Sequence, residues 1–275
     1  MDVPLLRIDD PQDPRIAGFV SIRERDLTGR HGQFVAEGTV VLRMLAAAHQ
    51  AERGISAEAI LLLENRVDGL QDLLSAFPND VPVYVARAAV FDAIAGFNMH
   101  RGVLALGRRV GMPTMHQLVS GLGPRSLMLA ACGISNHDNM GSMFRNAAAF
   151  GVDAMLLDQT CCDPLYRKAI RVSVGSVLSV PFSREGSIEA MLKTLQAEGF
   201  ALWGLSPAGD TELADIPPAP RTALLMGTEG EGLPASILSS IRTARIRQKP
   251  GLDSLNVATA AGIALHQVAS INGFI

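Results

Sequence analysis

Three short segments in the second half of the chain combine glycines with amide, carboxylate, hydroxyl and guanidinium side chains. They read NHDNMGSMFRNAAAFG at residues 136–151, LLMGTEGEGLP at residues 224–234 and IRQKPGLDSLNVATAAG at residues 246–262. None of them matches the Gly-x-Gly-x-x-Gly dinucleotide fingerprint or the Walker phosphate loop. Asn139 followed by a helical pattern predicts a helix N-cap. Arg145 on the first turn of that helix would suit a phosphate or a developing oxyanion, because guanidinium donors would add to the positive end of the helix dipole.

Apolar runs predict the elements that position these segments. In the second half we predict a last helix at residues 255–271 and strands at residues 126–131, 154–157, 177–180, 201–205, 222–226 and 244–247. Continuous apolar strands of this kind are typical of a parallel sheet covered on both faces. The first half alternates as well, with a helix at residues 39–52 and strands at residues 33–36, 59–63, 81–86 and 102–106. Each of the three quoted segments lies at a strand-to-helix junction, where open α/β sheets bind ligands.

Composition limits the class of protein. The chain has 275 residues and a formal net charge of −3, so nucleic acid would have to be held by local patches. The three cysteines, Cys132, Cys161 and Cys162, form no Cys-x-x-Cys pair, and we expect a reduced, cytoplasmic protein. The N-terminus does not resemble a signal peptide, and no apolar run approaches the ~20 residues that span a bilayer. Six scattered histidines lack ligand spacing, so no metal site is expected.

Taken together, the order of the three segments resembles the SpoU (TrmH-type) branch of the SPOUT methyltransferases. The likeness continues through residues 163–175 and covers nearly all of the second half. The first half, through GQFVAEGTVVLRML and HRGVLAL, is similar to a smaller domain whose fold is like that of kink-turn-binding ribosomal proteins. The matching positions are Asn136, Asn139, Gly141, Arg145, Asn146 and Ala147, then Gly227, Glu229, Gly232 and Leu233, then Ser254, Leu255, Asn256, Val257 and Ala258.

The resemblance implies an RNA ribose 2′-O-methyltransferase that uses S-adenosylmethionine and acts on tRNA or rRNA. It implies an α/β fold whose C-terminal parallel sheet carries a deep trefoil knot, an exception to the rule that chains do not thread themselves. It also implies a homodimer in which each active site is completed by the partner chain. We therefore expect an RNA substrate-binding domain at residues 1–107, a linker and connecting helix at 108–120, and a knotted catalytic domain at 121–275.

The resemblance also implies roles for single residues. Arg145 would orient a phosphate or stabilise the 2′-oxyanion, because a guanidinium stays protonated and is a poor base. The other catalytic positions would hold the ribose or relay its proton, and the glycine loop would let the backbone close on the cofactor. The catalytic set is Asn139, Arg145, Glu229, Ser254 and Asn256. The cofactor-binding set is Gly227, Thr228, Glu229, Gly232, Leu233, Ile246, Gln248, Leu255 and Asn256.

One stretch departs from the family pattern. The third segment commonly opens Ile-Pro-Met in the family, whereas this chain has Ile246-Arg247-Gln248. Proline and methionine help to shape the wall near the adenine, and Gln248 could hydrogen-bond the edge of the base instead of packing on it. The departure bears on cofactor affinity rather than on the fold.

Arginines of the first half are the expected RNA contacts, although for any single one a solvated surface position is the simpler interpretation. They are Arg23, Arg25, Arg30 and Arg101. Two other functions stay open from the sequence. A non-catalytic RNA-binding or ribosome-assembly protein could keep the knotted fold and lose the cofactor, and a nucleotide-dependent oxidoreductase is disfavoured by the missing fingerprint.

Overall fold

The computed structural model describes residues 4–19, 32–95, 102–249, 251 and 254–275. These residues form two compact units. The first unit comprises Met1–Met112 and Leu165–Ser179, and the second comprises Pro113–Pro164 and Val180–Ile275. Within the part of the chain that is described, no helix is both long enough and apolar enough to cross a bilayer.

Helices or short 3-10 turns separate most successive strands of the described chain. The strands are β1 (Leu5–Ile8), β2 (Gln33–Glu37), β3 (Ile55–Leu63), β4 (Val83–Ala86), β5 (Val103–Arg109), β6 (Ser126–Ala131), β7 (Ala154–Leu157), β8 (Phe182–Arg184), β9 (Ala201–Leu205), β10 (Thr211–Glu212), β11 (Arg221–Met226) and β12 (Arg242–Arg245). The α-helices are α1 (Thr39–Gln50), α2 (Gln71–Leu74), α3 (Ala88–Ala95), α4 (Met115–Ser120), α5 (His137–Ala149), α6 (Arg167–Val172), α7 (Ile188–Ala197), α8 (Ala235–Leu238) and α9 (Val257–Ile271). Short 3-10 turns lie at Pro14–Phe19, Glu64–Arg66, Asp68–Leu70, Ser176–Leu178 and Leu213–Asp215.

The first unit is built on a five-stranded mixed sheet with the order β1-β4-β3-β5-β2. β4 pairs in parallel with β1 and β3, whereas β5 runs antiparallel to β2 and β3. A core of Ile16, Leu61, Phe91 and Leu104 packs on one face of the sheet. β5 extends to Arg109, so it passes the point near residue 107 where the sequence predicts a break.

A segment from late in the chain, Leu165–Ser179, belongs to the first unit, whereas the sequence-based division placed it in the domain at residues 121–275. Its helix α6 packs on β2, and Arg167 forms an ion pair of 3.0 Å with Glu37. Gly175 has φ +85°, which favours glycine, and an added Cβ would lie within 3.0 Å of Cγ of Met44.

The predicted strand at residues 177–180 is wrong. Ser176–Leu178 is a 3-10 turn, and the next strand, β8, begins at Phe182. Val177 and Leu178 are nevertheless buried, so their apolar character reflects burial rather than an extended backbone. A short apolar run cannot distinguish these two cases.

The second unit is a parallel α/β domain, as the sequence predicts. Its seven strands have the order β10-β12-β9-β11-β6-β7-β8, and every pairing between them is parallel. β6, β7 and β9 have the predicted bounds, whereas β12 begins two residues earlier than predicted. A buried cluster that includes Met128, Leu156, Met191 and Leu225 packs α4 and α7 on the sheet. The carboxyl ends of adjacent strands therefore open on one edge, where a ligand can be held.

Candidate active site

A cavity of about 620 Å³ lies at the carboxyl ends of β9, β11 and β12, beside the start of α9. Its volume falls in the range of roughly 300–1,000 Å³ that is usual for small-molecule sites. All nine positions that we expected to bind a cofactor line it. The lining residues are Leu205, Ser206, Pro207, Ala208, Met226, Gly227, Thr228, Glu229, Gly230, Glu231, Gly232, Leu233, Leu238, Ile246, Gln248, Ser254, Leu255, Asn256, Val257 and Ala260.

The glycine loop after β11 folds back tightly on itself. Thr228 N donates to Gly232 O at 3.1 Å, and Gly232 N donates to Thr228 O at 3.2 Å. A Cβ added to Gly227 would lie 2.0 Å from the carbonyl carbon of Gly232, so no other residue fits there without a shift of the backbone. Glycine at 227 is therefore required by the packing of the loop on itself, and the folded loop forms one wall of the cavity.

A hydrogen-bonded chain of three side chains joins the three sequence segments. Asn139 Nδ2 donates to Glu229 Oε1 at 2.9 Å, and Asn256 Nδ2 donates to Asn139 Oδ1 at 2.8 Å. Glu229 and Asn256 are exposed and Asn139 is half-buried, so these three hydrogen-bonded side chains are accessible to a substrate. Glu229 and Asn256 also line the cavity, whose wall includes the exposed Ser254. The structure thus brings four of the five predicted catalytic residues into one region.

Asparagine side chains fix the starts of both helices at this site. Asn136 caps α5, because its Oδ1 accepts from the backbone N–H groups of Asp138 at 2.7 Å and Asn139 at 3.4 Å. Asn256 caps α9 in the same way, with Oδ1 accepting from Ala258 at 3.0 Å and Thr259 at 3.2 Å. Because the cap oxygen of Asn256 is held by the helix, its Nδ2 is directed to Asn139.

Two expectations about α5 are wrong. The N-cap is Asn136 rather than Asn139, which lies inside the helix and is left to bond Glu229. Arg145 is not on the first turn, since α5 begins at His137 and Arg145 follows more than two turns later. The effect of the helix dipole is confined to the end turns, so it does not act at Arg145. Arg145 is exposed and is not among the residues that line the cavity of its own chain.

A buried carboxylate, Asp158, holds the segment that packs on the glycine loop. Asp158, at the end of β7, accepts hydrogen bonds from Gly133 N at 3.1 Å, Thr160 Oγ1 at 2.8 Å and Cys161 N at 2.9 Å. Burial alone would raise the pKa of Asp158, but these hydrogen bonds outweigh it and hold the pKa below its usual value. Gly133 in turn packs on Thr228, since an added Cβ would lie 2.5 Å from Thr228 Cγ2.

The residues after β12 alternate between the cavity and the outer surface. Ile246 and Gln248 line the cavity. Arg247, between them, has an 83% exposed side chain whose Nε lies 3.7 Å from Glu212 Oε2. Arg245 also pairs with Glu212, at 2.9 Å. Arg247, which stands where the family commonly has proline, therefore faces away from the cavity. Of the two residues that depart from the family pattern, only Gln248 alters the cavity wall.

The sequence did not reveal the wall formed by Leu205, Ser206, Pro207 and Ala208. The sequence did contain a signal for this wall. These residues directly follow β9, a correctly predicted strand, and parallel strands end at one edge of their sheet, where ligands bind. A second, more open groove of about 590 Å³ lies between α5 and α9. Its lining includes Ser142, Asn146, Gly262, Ile263 and His266.

The proposed RNA contacts Arg23, Arg25, Arg30 and Arg101 lie outside the described residues. Two neighbouring arginines that are described pair with carboxylates: Arg15 NH2 lies 2.6 Å from Asp13, and Arg108 pairs with Glu58.

The cavity fits an adenosyl cofactor by its own chemistry. Ile246 and Leu255 offer apolar surface, Glu229 and Ser254 offer polar side chains, and the buried Oε1 of Gln248 has no hydrogen-bond partner among the described residues. Over the same part of the chain, no cluster of three or more His, Cys, Asp or Glu side chains is arranged to hold a metal ion.

Comparison with known proteins identifies the family. The model of the SpoU rRNA Methylase family matches residues 126–266. An uncharacterized tRNA/rRNA methyltransferase of Mycobacterium bovis is 38% identical over 270 residues, which cover 94% of this chain and 89% of that protein.

Two solved structures share the fold. An AdoMet-bound rRNA methyltransferase from Sinorhizobium meliloti superposes with a TM-score of 0.79 at 22% identity, covering 97% of this chain and 98% of the other. An RNA 2′-O ribose methyltransferase superposes with a TM-score of 0.72 at 23% identity, covering 99% and 100%. At these identities the structures establish the fold alone. With the family match over residues 126–266 and the Mycobacterium relative, they lead to one conclusion: the chain belongs to the SpoU rRNA methylase family.

Proposed function

We propose that this chain binds S-adenosylmethionine in the 620 Å³ cavity and methylates a ribose 2′-hydroxyl of tRNA or rRNA. The observation that carries the proposal is the Glu229–Asn139–Asn256 hydrogen-bonded chain at the cavity. It joins the three segments that resemble the family, and it offers polar side chains beside a site that fits the cofactor. The names of the Mycobacterium and Sinorhizobium proteins support an RNA substrate, and the 2′-O ribose methyltransferase structure supports the position of methylation.

The bound cofactor would supply a methyl group on a good leaving group, so the chain must align the hydroxyl and handle its proton. Alignment is the larger contribution, since good positioning is worth on the order of 7–11 kcal/mol. The Glu229 carboxylate has two oxygens, one of which accepts from Asn139, and the other can accept from the ribose hydroxyl. Asn256 holds Asn139 in place, and Ser254 adds a hydroxyl donor and acceptor in the same wall.

Arg145 is proposed to act across a homodimer. It is exposed on α5, next to groove residues Ser142 and Asn146, and it lies outside its own cavity. The groove also contains Ile263, which is 41% exposed on α9. We propose that this groove contacts a second copy, so that Arg145 reaches the partner's cavity and stabilises the 2′-oxyanion there.

Three further parts of the proposal rest on the family resemblance. The segments at residues 224–234 and 246–262 are proposed to form the trefoil knot. The first unit is proposed to bind RNA, with Arg23, Arg25, Arg30 and Arg101 as contacts. The enzyme is proposed to act in the cytoplasm.

Calorimetric titration with S-adenosylmethionine tests the cofactor, and mapping of ribose methylation in tRNA and rRNA from a deletion strain tests the substrate. We expect binding at micromolar to millimolar concentration and the loss of one or more 2′-O-methyl marks. A matched pair of variants places the site: Glu229→Gln should fail to restore the mark, whereas Asp215→Asn, an exposed carboxylate outside the cavity lining, should restore it. Unchanged marks and no heat of binding would favour a non-catalytic RNA-binding protein.

A further inference from the structure

We propose that the side-chain amide of Gln248 reads the hydrogen-bonding edge of the nucleobase in the cavity and makes the site selective for a 6-aminopurine. The inference rests on the proposed function, because the base is the adenine of the cofactor. It assigns selectivity for the base to the side chain of Gln248.

The first observation is an unsatisfied acceptor. Oε1 of Gln248 is buried and has no hydrogen-bond partner among the described residues, although the residue lines the cavity. A buried carbonyl oxygen without a donor is costly, and native structures rarely retain one without a functional reason. A rotation of the amide toward the cavity would let a ligand N–H group remove that cost, so the orphan oxygen favours a ligand with a donor.

The second observation is how Gln248 is held toward the cavity. Arg245 and Arg247 both pair with Glu212 on β10, at 2.9 and 3.7 Å. Their side chains lie outside the cavity lining, whereas Ile246 and Gln248 belong to it. Both ion pairs lie on the side of this stretch away from the cavity, and the side chain of Gln248 forms part of the cavity wall.

The chemistry of the amide matches adenine. A glutamine amide has one acceptor and two donors, and adenine presents its 6-amino donor beside a ring-nitrogen acceptor. Glutamine pairs with adenine through two such hydrogen bonds in nucleic-acid recognition. The terminal torsion of glutamine is soft, so Oε1 can turn from its buried position to meet the amino group. The neighbouring Ile246 and Leu255 provide apolar surface, which discriminates poorly between purines.

The test compares two ligands by calorimetry: S-adenosylhomocysteine and its analogue with hydrogen in place of the 6-amino group. The ratio of their dissociation constants is measured in the wild type, in Gln248→Met and in Gln248→Asn. Arg247→Met is the matched control, because it introduces the same side chain at the adjacent outward position. We expect the wild type to prefer the amino ligand by about 10- to 100-fold. The preference should fall to within about threefold in both Gln248 variants, and Arg247→Met should keep the wild-type ratio.

A second readout needs no ligand. Gln248→Met replaces an unsatisfied polar group by an apolar one, so it should raise the Tm of the ligand-free protein by about 2–4 °C. A lowered or unchanged Tm in a folded variant would show that Oε1 is already satisfied, and would overturn the inference.

The outcomes separate the inference from the proposed function. Equal wild-type affinity for the two ligands, or a preference that survives in Gln248→Met and Gln248→Asn, overturns the role of Gln248 and leaves the enzyme proposal standing. If the wild type binds neither ligand at millimolar concentration, the proposed function fails, and the inference fails with it. If Gln248→Met does not fold, the wild-type ratio and Gln248→Asn decide the question.

Discussion

The side-chain amide of Asn139 donates a hydrogen bond of 2.9 Å to the carboxylate of Glu229, although 90 residues separate them in the chain. The contact joins the helix that follows β6 to the loop that follows β11. These two strands are neighbours in the parallel sheet, so both side chains lie at the same edge. The sheet therefore places an amide donor against the one carboxylate that the proposed mechanism requires.

Asn139 and Glu229 should act as one unit in catalysis. We expect Asn139→Ala and Glu229→Ala each to lower single-turnover methylation by about 10- to 100-fold, because one removes the amide that orients the carboxylate and the other removes the carboxylate itself. The double variant should be little slower than the slower single variant. Single-turnover rates of the four proteins in a double-mutant cycle check this. Losses that multiply in the double variant would mean that the two side chains act independently.

Arg145→Ala should lower methyl transfer by about 10²–10³ and leave cofactor affinity unchanged, because Arg145 lies outside the cavity of its own chain. Arg145→Lys should restore little activity, since an ammonium cannot reproduce the guanidinium fork. If the site is shared between two chains, mixing Arg145→Ala with Glu229→Ala should regain activity through heterodimers with one intact site. Activity that stays absent after mixing and refolding would contradict the shared site. Sedimentation at the mass of one 29.2 kDa chain would contradict it too.

Asp158 should stabilise the fold at neutral pH and lose that effect in acid. Its pKa is lowered in the folded protein, so its contribution is fully present above the unfolded pKa of about 3.9 and is lost as pH falls through the lower folded value. Asp158→Asn should therefore cost about 1–3 kcal/mol at pH 7 and progressively less below about pH 4. Urea denaturation across this range measures the difference, with the exposed Asp215→Asn as control. A cost that grows in acid would show the opposite linkage.

The three cysteines should be slow to react while the protein is folded. Burial raises the pKa of Cys132 to about 12, with the charge of Asp158 adding to the effect, and burial likewise raises the pKa of Cys162 to about 12. Burial also raises the pKa of Cys161. At pH 8 a thiol of pKa 12 is only about 10⁻⁴ thiolate, so alkylation should be slow until urea exposes the thiols. Fast labelling of the folded chain would contradict these environments.

Periodicity and glycine spacing predict the parallel sheet of the second unit, because β6, β7 and β9 are continuous apolar runs between turn residues. They also indicate the loops that line the cavity, since glycines at the end of a strand permit a tight turn of the backbone there. The cap of α5 could not be chosen between Asn136 and Asn139, because either asparagine can accept the free N–H groups. The tertiary fold decides it by using Asn139 to bond Glu229.

Packing also overrides pattern at residues 177–180, where buried apolar residues form a turn in the first unit instead of a strand. The orphan oxygen of Gln248 could not be predicted either. Whether a side-chain atom has a partner depends on contacts between distant segments, and the sequence shows only that a polar residue stands at that position.

The most direct measurement of the central claim is alkaline hydrolysis of RNA labelled by the purified protein with methyl-tritiated S-adenosylmethionine. The proposal predicts label in alkali-resistant dinucleotides, because a methylated 2′-oxygen cannot attack the adjacent phosphate. Glu229→Gln should greatly reduce that label, and Asp215→Asn should retain it. Label recovered in mononucleotides would place the methyl group on a base, and no label in any RNA from a deletion strain would contradict methyl transfer altogether.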